Sequence, residues 1–268
     1  MEGFEVISGN ASNNLLNELN NITKISEQRY KDIKIAHHEW IDKLDDDDYK
    51  NMIHKIRISD SILNKIKEKY PNAKVQNVTE GDEIYWAVSP KGAVGSDRSL
   101  VDCHYDSPFA ILPTGGVIYY RVIIATNENN DVITIFPAEN KKVKMSTGDF
   151  HGLDYNKDWH CVEGKIPEGK HRVLLKLHYL ITPPGSEPYE NFVRSINVWW
   201  TQLSRETMRM SANPKNILES FVALVVNISR FVFNHIYTIL FILIILYFIF
   251  TKYSRKIVFK IFRWKVKN

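Results

Sequence analysis

The sequence predicts an α+β chain: a helical layer on a compact antiparallel barrel or sandwich, followed by one apolar helix of membrane-spanning length. Three observations carry this expectation. Apolar residues recur at three- and four-residue spacing between residues 13 and 70; seven short β-type runs separated by turn chemistry lie between residues 83 and 181; and residues 231–250 contain no Asp, Glu, Lys or Arg. At 268 residues, 44% hydrophobic and 25% charged, the chain has the composition of a folded protein, which excludes a fibrous repeat or wholesale disorder.

The N-terminal layer, residues 1–82, is read as helical from NLLNELNNITKI, IKIAHHEWIDKL and DSILNKIKEKY. The last of these opens with Ser59 and Asp60 as capping candidates and stops before Pro71. His37 and His38 are surface or packing residues on this reading, and Asp45–Asp48 is a solvated loop or helix start.

Residues 83–188 form the β domain. Its runs are EIYWAVS, SLVDCHYD, VIYYRVIIAT, DVITIF, KKVKM, DWHCVE and HRVLLKLHYLI, broken by segments rich in Gly, Pro, Asn and Asp. Residues 189–230 are a mixed connector that turns helical toward NILESFVALVV.

The run FVFNHIYTILFILIILYFIF, residues 231–250, is the predicted transmembrane helix, because at about 1.5 Å per residue it matches a hydrocarbon core of about 30 Å. A tail follows, residues 251–268, whose cations alternate with Ile, Val, Phe and Trp, as suits the headgroup layer. Charge divides accordingly. Arg230, Lys252, Arg255, Lys256, Lys260, Arg263, Lys265 and Lys267 face no acid after residue 220, so the body before it is mildly acidic, which argues against a nucleic-acid surface. The N-terminus lacks the basic and apolar regions of a signal peptide, which places the body in the cytosol on a tail anchor; the basic tail pulls the other way. Four Asn-x-Ser/Thr sites begin at Asn10, Asn21, Asn77 and Asn227 and would matter only in a lumenal body.

The chemistry is read from three places. In SLVDCHYD, strand alternation puts Asp102, His104 and Asp106 on one face, a two-ligand edge for a metal. Fifty-four residues after Asp106 comes His160, and twelve residues later Arg172 opens the strand HRVLLKLHYLI. Two histidines and one carboxylate can occupy one face of an octahedral Fe(II), leaving positions for a bidentate oxo-acid and O2, and a guanidinium is the natural clamp for that acid's far carboxylate.

At these residues the chain resembles the iron(II)- and 2-oxoglutarate-dependent dioxygenases, which carry a His-x-Asp/Glu pair, a long gap, a second His and then a basic residue. YYRVIIATNENNDVITIFP resembles their central strand pair, and KMSTGDFHGLDYNKDWHCVEG their approach to the second histidine. The resemblance covers roughly residues 83–181 and is closest to the prolyl and aspartyl/asparaginyl hydroxylases. It implies a double-stranded β-helix (jelly-roll) domain, with His104, Asp106 and His160 as iron ligands and Arg172 as the 2-oxoglutarate clamp. Lys170 or Lys176 are alternative clamps, and His151 is the rival to His160. Tyr119 and Arg121 share a strand face and either touch the co-substrate or substrate, or serve in packing and an outward salt bridge. His178 is read as structural.

Each Cys adjoins a ligand histidine, Cys103 before His104 and Cys161 after His160, but neighbours on a strand point to opposite faces. A shared zinc site is therefore set aside, and both cysteines are expected as small buried residues on the back of the sheet. There is no GxSxG elbow and no phosphate-cradling Gly-rich loop. The resulting expectation is a membrane-anchored dioxygenase that hydroxylates a protein side chain. The alternatives are the same chemistry on a lipid or nucleobase, and a non-enzymatic interaction module whose histidines only pack.

Overall fold

The computed structural model describes residues 6–33, 36–88, 103–212 and 214–234. The chain divides into two compact units, Met1–Glu206 and Thr207–Asn268.

The first unit is built on two antiparallel sheets. The larger has the order β1 (Ile7–Asn10), β8 (Asp149–Asp154), β5 (Ile118–Ala125), β10 (His171–Thr182), β4 (Glu83–Val88) and β2 (His37–Trp40), with β3 (Lys74–Asn77) paired to the far end of β10. The smaller has the order β7 (Lys141–Val143), β6 (Val132–Phe136), β9 (Cys161–Gly164). Because strand side chains alternate, β10 divides cleanly between two cores. Val173, Leu175, Leu177, Tyr179 and Ile181 join the core under the helices. Leu174 meets Tyr85, Ala87, Ile123 and Leu153 of its own sheet and Val132 and Phe136 of the smaller one. The second core lies between the sheets, and it is on this inner face that Arg172, Lys176 and His178 fall.

Helices α1 (Leu16–Tyr30), α2 (Asp47–Arg57) and α3 (Asp60–Lys69) cover the outer face of the larger sheet. The three- and four-residue spacing is realised as fully buried Leu19 and Ile22 on α1, Ile53 and Ile56 on α2, and Ile62 and Ile66 on α3. Each such side chain contributes about 1.5–3 kcal/mol by leaving water. Asp46 caps α2, its Oδ1 accepting from Tyr49 N at 2.9 Å, so part of the Asp run is a helix start.

Four readings change. HHEW is an edge strand rather than helix, because its backbone pairs with β4 from His37↔Trp86 to Trp40↔Glu83. Ile7–Asn10 and Lys74–Asn77 are strands as well, so three strands of the larger sheet come from the N-terminal layer. FHGLD lies within strand β8: Gly152 is required there, since a Cβ would stand 2.5 Å from Tyr120 Cε1 and 2.8 Å from Ile7 Cγ1. Finally, SLVDCHYD does not continue as a described strand: residues 99–102 lie outside the described residues, His104 makes one isolated bridge, and Asp106 sits in a bend.

The second unit contains the end of α4 (Glu190–Ala212) and α5 (Ile217–Asn234). Asn216 Oδ1 accepts from Glu219 N at 2.9 Å, and Glu219 answers by accepting from Lys215 N at 2.7 Å and from Arg209 Nη2 at 3.1 Å. Among the described residues no helix is long and apolar enough to cross a membrane. The predicted span 231–250 beyond residue 234, and the basic tail, lie outside the described residues.

Candidate metal centre

A single β-bridge brings the two histidines together. His104 N donates to His160 O at 2.8 Å and His160 N to His104 O at 3.1 Å, and the rings lie side by side with centroids 4.6 Å apart. Asp106 returns through its bend so that Oδ1 is 3.8 Å from His104 Nε2. One donor atom from each of His104, Asp106 and His160 lies within 4.8 Å of the others, and this is the group among the described residues able to hold a metal ion. The bend, rather than strand alternation, makes Asp106 meet His104.

The electrostatics suit a cation. Burial lowers the His160 pKa, so the ring is neutral and able to ligate. Its Nδ1 lies 3.1 Å from the Asp158 carbonyl, which can only accept, so Nδ1 carries the hydrogen and Nε2 keeps a lone pair for a metal. Burial raises the Asp106 carboxyl, but Arg121 overrides it and holds the group well below the usual carboxylate range. A neutral imidazole and a fixed carboxylate are the forms that a divalent ion requires.

Arg121 departs from expectation. It is only 1% exposed and points inward rather than into an outward salt bridge. Its Nη1 donates to Asp106 Oδ2 at 2.8 Å and its Nε to His178 Nε2 at 2.9 Å, while its guanidinium lies 4.4 Å over the Tyr155 ring. One fork thus ties the Asp106 carboxylate to strands β5 and β10. Tyr119, also buried, stacks on His178 at 5.2 Å and meets Tyr155 edge-on at 5.3 Å. Its surroundings are this aromatic cluster, which supports Arg121 from behind. His178 is structural: it accepts from Arg121, its backbone N donates to Asp82 Oδ1 at 2.7 Å, and burial holds its pKa well below the usual value.

The clamp candidates separate. Lys170 lies on an exposed turn, 4.0 Å from Asp131. Lys176 is buried on the inner face with Nζ 3.2 Å from Glu83 Oε1, and burial lowers its pKa to about 8. Arg172 is buried on the same face, its guanidinium 5.9 Å from the Tyr85 ring centroid. His151 is fully buried on β8 and outside the metal group. Its ring meets Phe136 edge-on at 5.7 Å, and Phe136 lies 5.9 Å from the His160 ring. Neither His151 nitrogen has a hydrogen-bond partner among the described residues, and burial, with help from His160 and Arg172, pushes its pKa down to about 3. A neutral, unsatisfied imidazole beside the triad marks a place where a further polar group belongs, since an unmade buried hydrogen bond costs about 1–3 kcal/mol.

Several residues escaped the sequence reading. Glu83 is fully buried and gathers His38 Nδ1 at 2.9 Å, Lys176 at 3.2 Å and two nitrogens of Arg205 at 3.1 Å. Trp200 Nε1 donates to the Asp106 carbonyl at 3.2 Å, so helix α4 braces the bend at Asp106. Nothing in the connector's pattern singles out Trp200 or Arg205. The cysteines require a correction: Cys103 is exposed, and it is bonded to Cys161, with Cα atoms 4.0 Å apart. The alternation that excludes them from the metal puts both on the opposite side of the His104–His160 bridge, where they meet each other.

No family model matches the chain, and no curated protein matches it. Among solved structures it is similar to the epimerase SnoN in complex with Fe3+, alpha ketoglutarate and nogalamycin RO, at 11% identity over 68% of this chain and 82% of that one, with a TM-score of 0.47. The viral collagen prolyl hydroxylase of Paramecium Bursaria Chlorella virus-1, a 2OG complex, is similar at 13% identity over 67% and 96%, TM-score 0.41. A prolyl 4-hydroxylase from Phytophthora capsici is similar at 14% identity over 87% and 83%, TM-score 0.42. Likeness at this level assigns no chemistry, which rests on the residues of the centre itself.

Proposed function

We propose that the chain is a membrane-anchored Fe(II)- and 2-oxoglutarate-dependent dioxygenase with a jelly-roll core, which hydroxylates a protein side chain. The observation that carries this reading is the convergence of His104, Asp106 and His160 within 4.8 Å, with the His160 ring kept neutral by burial and the Asp106 carboxylate kept ionised by Arg121. Two imidazoles and one carboxylate fill half of an octahedron and favour a non-haem iron with positions left open for the co-substrate and O2. When bound, the iron supplies the oxygen chemistry, in which a substrate C–H, O2 and 2-oxoglutarate become C–OH, succinate and CO2.

The protein's own part is positional. Asp158 fixes the His160 tautomer, and Arg121 fixes the Asp106 carboxylate so that Oδ1 faces the histidines. Arg172, on the inner face of β10, would pair with the far carboxylate of the oxo-acid. Lys176 is held by Glu83 and is the weaker candidate. His151, neutral and beside His160, offers one further donor to an anion in the same region.

The test is succinate release from 2-oxoglutarate by the purified chain with Fe(II) and ascorbate. Activity in the native chain and its loss in His160→Ala, with Mn(II) binding lost in parallel, is the expected result. Full turnover in His160→Ala would remove the assignment, and metal-independent behaviour of the native chain would favour the interaction-module alternative. The apolar run 231–250 supports the anchor; retention in the membrane pellet after carbonate washing, lost on removing residues 221–268, is the measurement for it.

A further inference from the structure

We propose that the body of this protein folds on the lumenal or extracellular side of its membrane and is N-glycosylated at Asn77. The cytosolic placement expected from the sequence rested on the N-terminus; the structure supplies observations that weigh the other way.

The first is the Cys103–Cys161 bond, which spans 58 residues and closes beside the isolated bridge that joins His104 and His160. Cytosolic thiols are kept reduced, and disulfides persist where the surroundings are oxidising. These are the only two cysteines in the chain, so no other pairing competes. Cys103 is exposed, so in a reducing compartment the bond would be open to attack by small thiols.

The second is the surroundings of the three acceptor sequences in the first unit. They differ in a way that singles out one. Asn10 donates through Nδ2 to Asp149, so its amide is engaged. Asn21 is exposed on α1, but the hydroxyl of its partner Thr23 donates to Thr126 O at 2.7 Å and is partly buried. Asn77 ends the edge strand β3, and both Asn77 and Thr79 are exposed with only Val78 buried between them. A glycan there would project from the sheet margin without displacing a core side chain. Surface position in a translocated body is what the Asn-x-Ser/Thr acceptor needs.

The third is the charge flanking the apolar run. Lys252, Arg255, Lys256, Lys260, Arg263, Lys265 and Lys267 all follow it, and the positive-inside rule keeps such a tail cytoplasmic, which puts the body across the membrane. The disulfide and the flanking charge thus agree on the side, and the exposure of Asn77 and Thr79 selects the acceptor; the placement rests on the membrane anchor proposed above and not on the oxygenase chemistry.

The test uses the full chain synthesised in the presence of sealed microsomes. A mobility shift removed by an N-glycosidase and absent from both Asn77→Gln and Thr79→Ala is expected, together with protection of the body from added protease. Alkylation under denaturing conditions should label the two cysteines only after reduction. A body that protease digests in sealed vesicles, or a native chain carrying no glycosidase-sensitive shift, overturns the proposal. Succinate release is not read in this experiment, so a failure here leaves the dioxygenase assignment standing and the reverse is equally true.

Discussion

Replacing Arg121 by Met tests how the centre is held. The arginine is 1% exposed, bonds Asp106 Oδ2 at 2.8 Å and His178 Nε2 at 2.9 Å, and lies 3.6 Å from Glu83 Oε1. Methionine keeps much of the volume and removes the charge, so the loss is electrostatic rather than a cavity. Asp106 would be left buried without the cation that bonds its Oδ2, and breaking a buried pair from one side costs about 3–5 kcal/mol. For a chain of this size each kcal/mol lowers the melting temperature by about 2–4 °C, so a fall of about 6–20 °C is expected in thermal unfolding without metal.

Metal affinity gives a second and sharper readout. Arg121 takes Oδ2 and leaves Oδ1 toward His104, so its loss frees the carboxylate to turn away, and Mn(II) binding should weaken by about 10–100-fold, as for other partners that orient a ligand. The opposite mechanism, in which Arg121 merely competes with the cation for Asp106, predicts tighter binding in Arg121→Met. Titration of Mn(II) with detection of the free ion distinguishes them. Unchanged or tighter binding by a folded variant would refute the positioning argument.

Opening the Cys103–Cys161 link with Cys103→Ser should destabilise the protein by about 4 kcal/mol, from the entropy of freeing a 58-residue loop, and denaturant titration should put the variant level with the reduced native chain, both below the unreduced native chain. His38 is pushed down to about 4 by burial, so the folded state keeps it neutral while the unfolded chain protonates it near 6.5. Stability from this residue is therefore present above pH 6.5 and lost as pH falls toward 4, and His38→Gln should flatten the pH dependence of unfolding in that window. Ile53→Ala, in the core under the helices, should cost about 2–5 kcal/mol while leaving Mn(II) affinity unchanged in the folded protein.

What could be read from the sequence follows which signals are local. Helix periodicity in α1 to α3 is local, and it gave Leu19, Ile22, Ile53, Ile56, Ile62 and Ile66 their buried places. HHEW and KVQN were misread or passed over because an edge strand is defined by its partner, β4 or β10, and four residues carry too little pattern to announce it. Strand β8 was hidden by His151-Gly152, whose residue types are explained only once Tyr120 and Ile7 close in on the glycine and the histidine turns toward Phe136. The spacing of His104, Asp106 and His160 was legible because metal chemistry constrains residue type, and the three side chains do converge. Glu83, Trp200 and Arg205 were not, since their roles exist only through distant partners.

The same contrast explains how the centre is built. The histidine pair His104 and His160 hangs on one isolated bridge, far less backbone pairing than the eight-residue register between β5 and β10. Two backbone hydrogen bonds at about 0.5–1.5 kcal/mol each would not by themselves hold ligand atoms to metal geometry. Covalent and side-chain links compensate: the Cys103–Cys161 bond locks the register on one side, and Arg121 fixes Asp106 to β5 and β10 on the other. Trp200 braces the bend from α4. Each link comes from a different part of the chain, so the metal geometry is complete only when the sheets, the disulfide and α4 are all in place. Metal affinity is therefore a readout of these three links, and a variant that loosens any one of them should lose affinity before it loses the sheet.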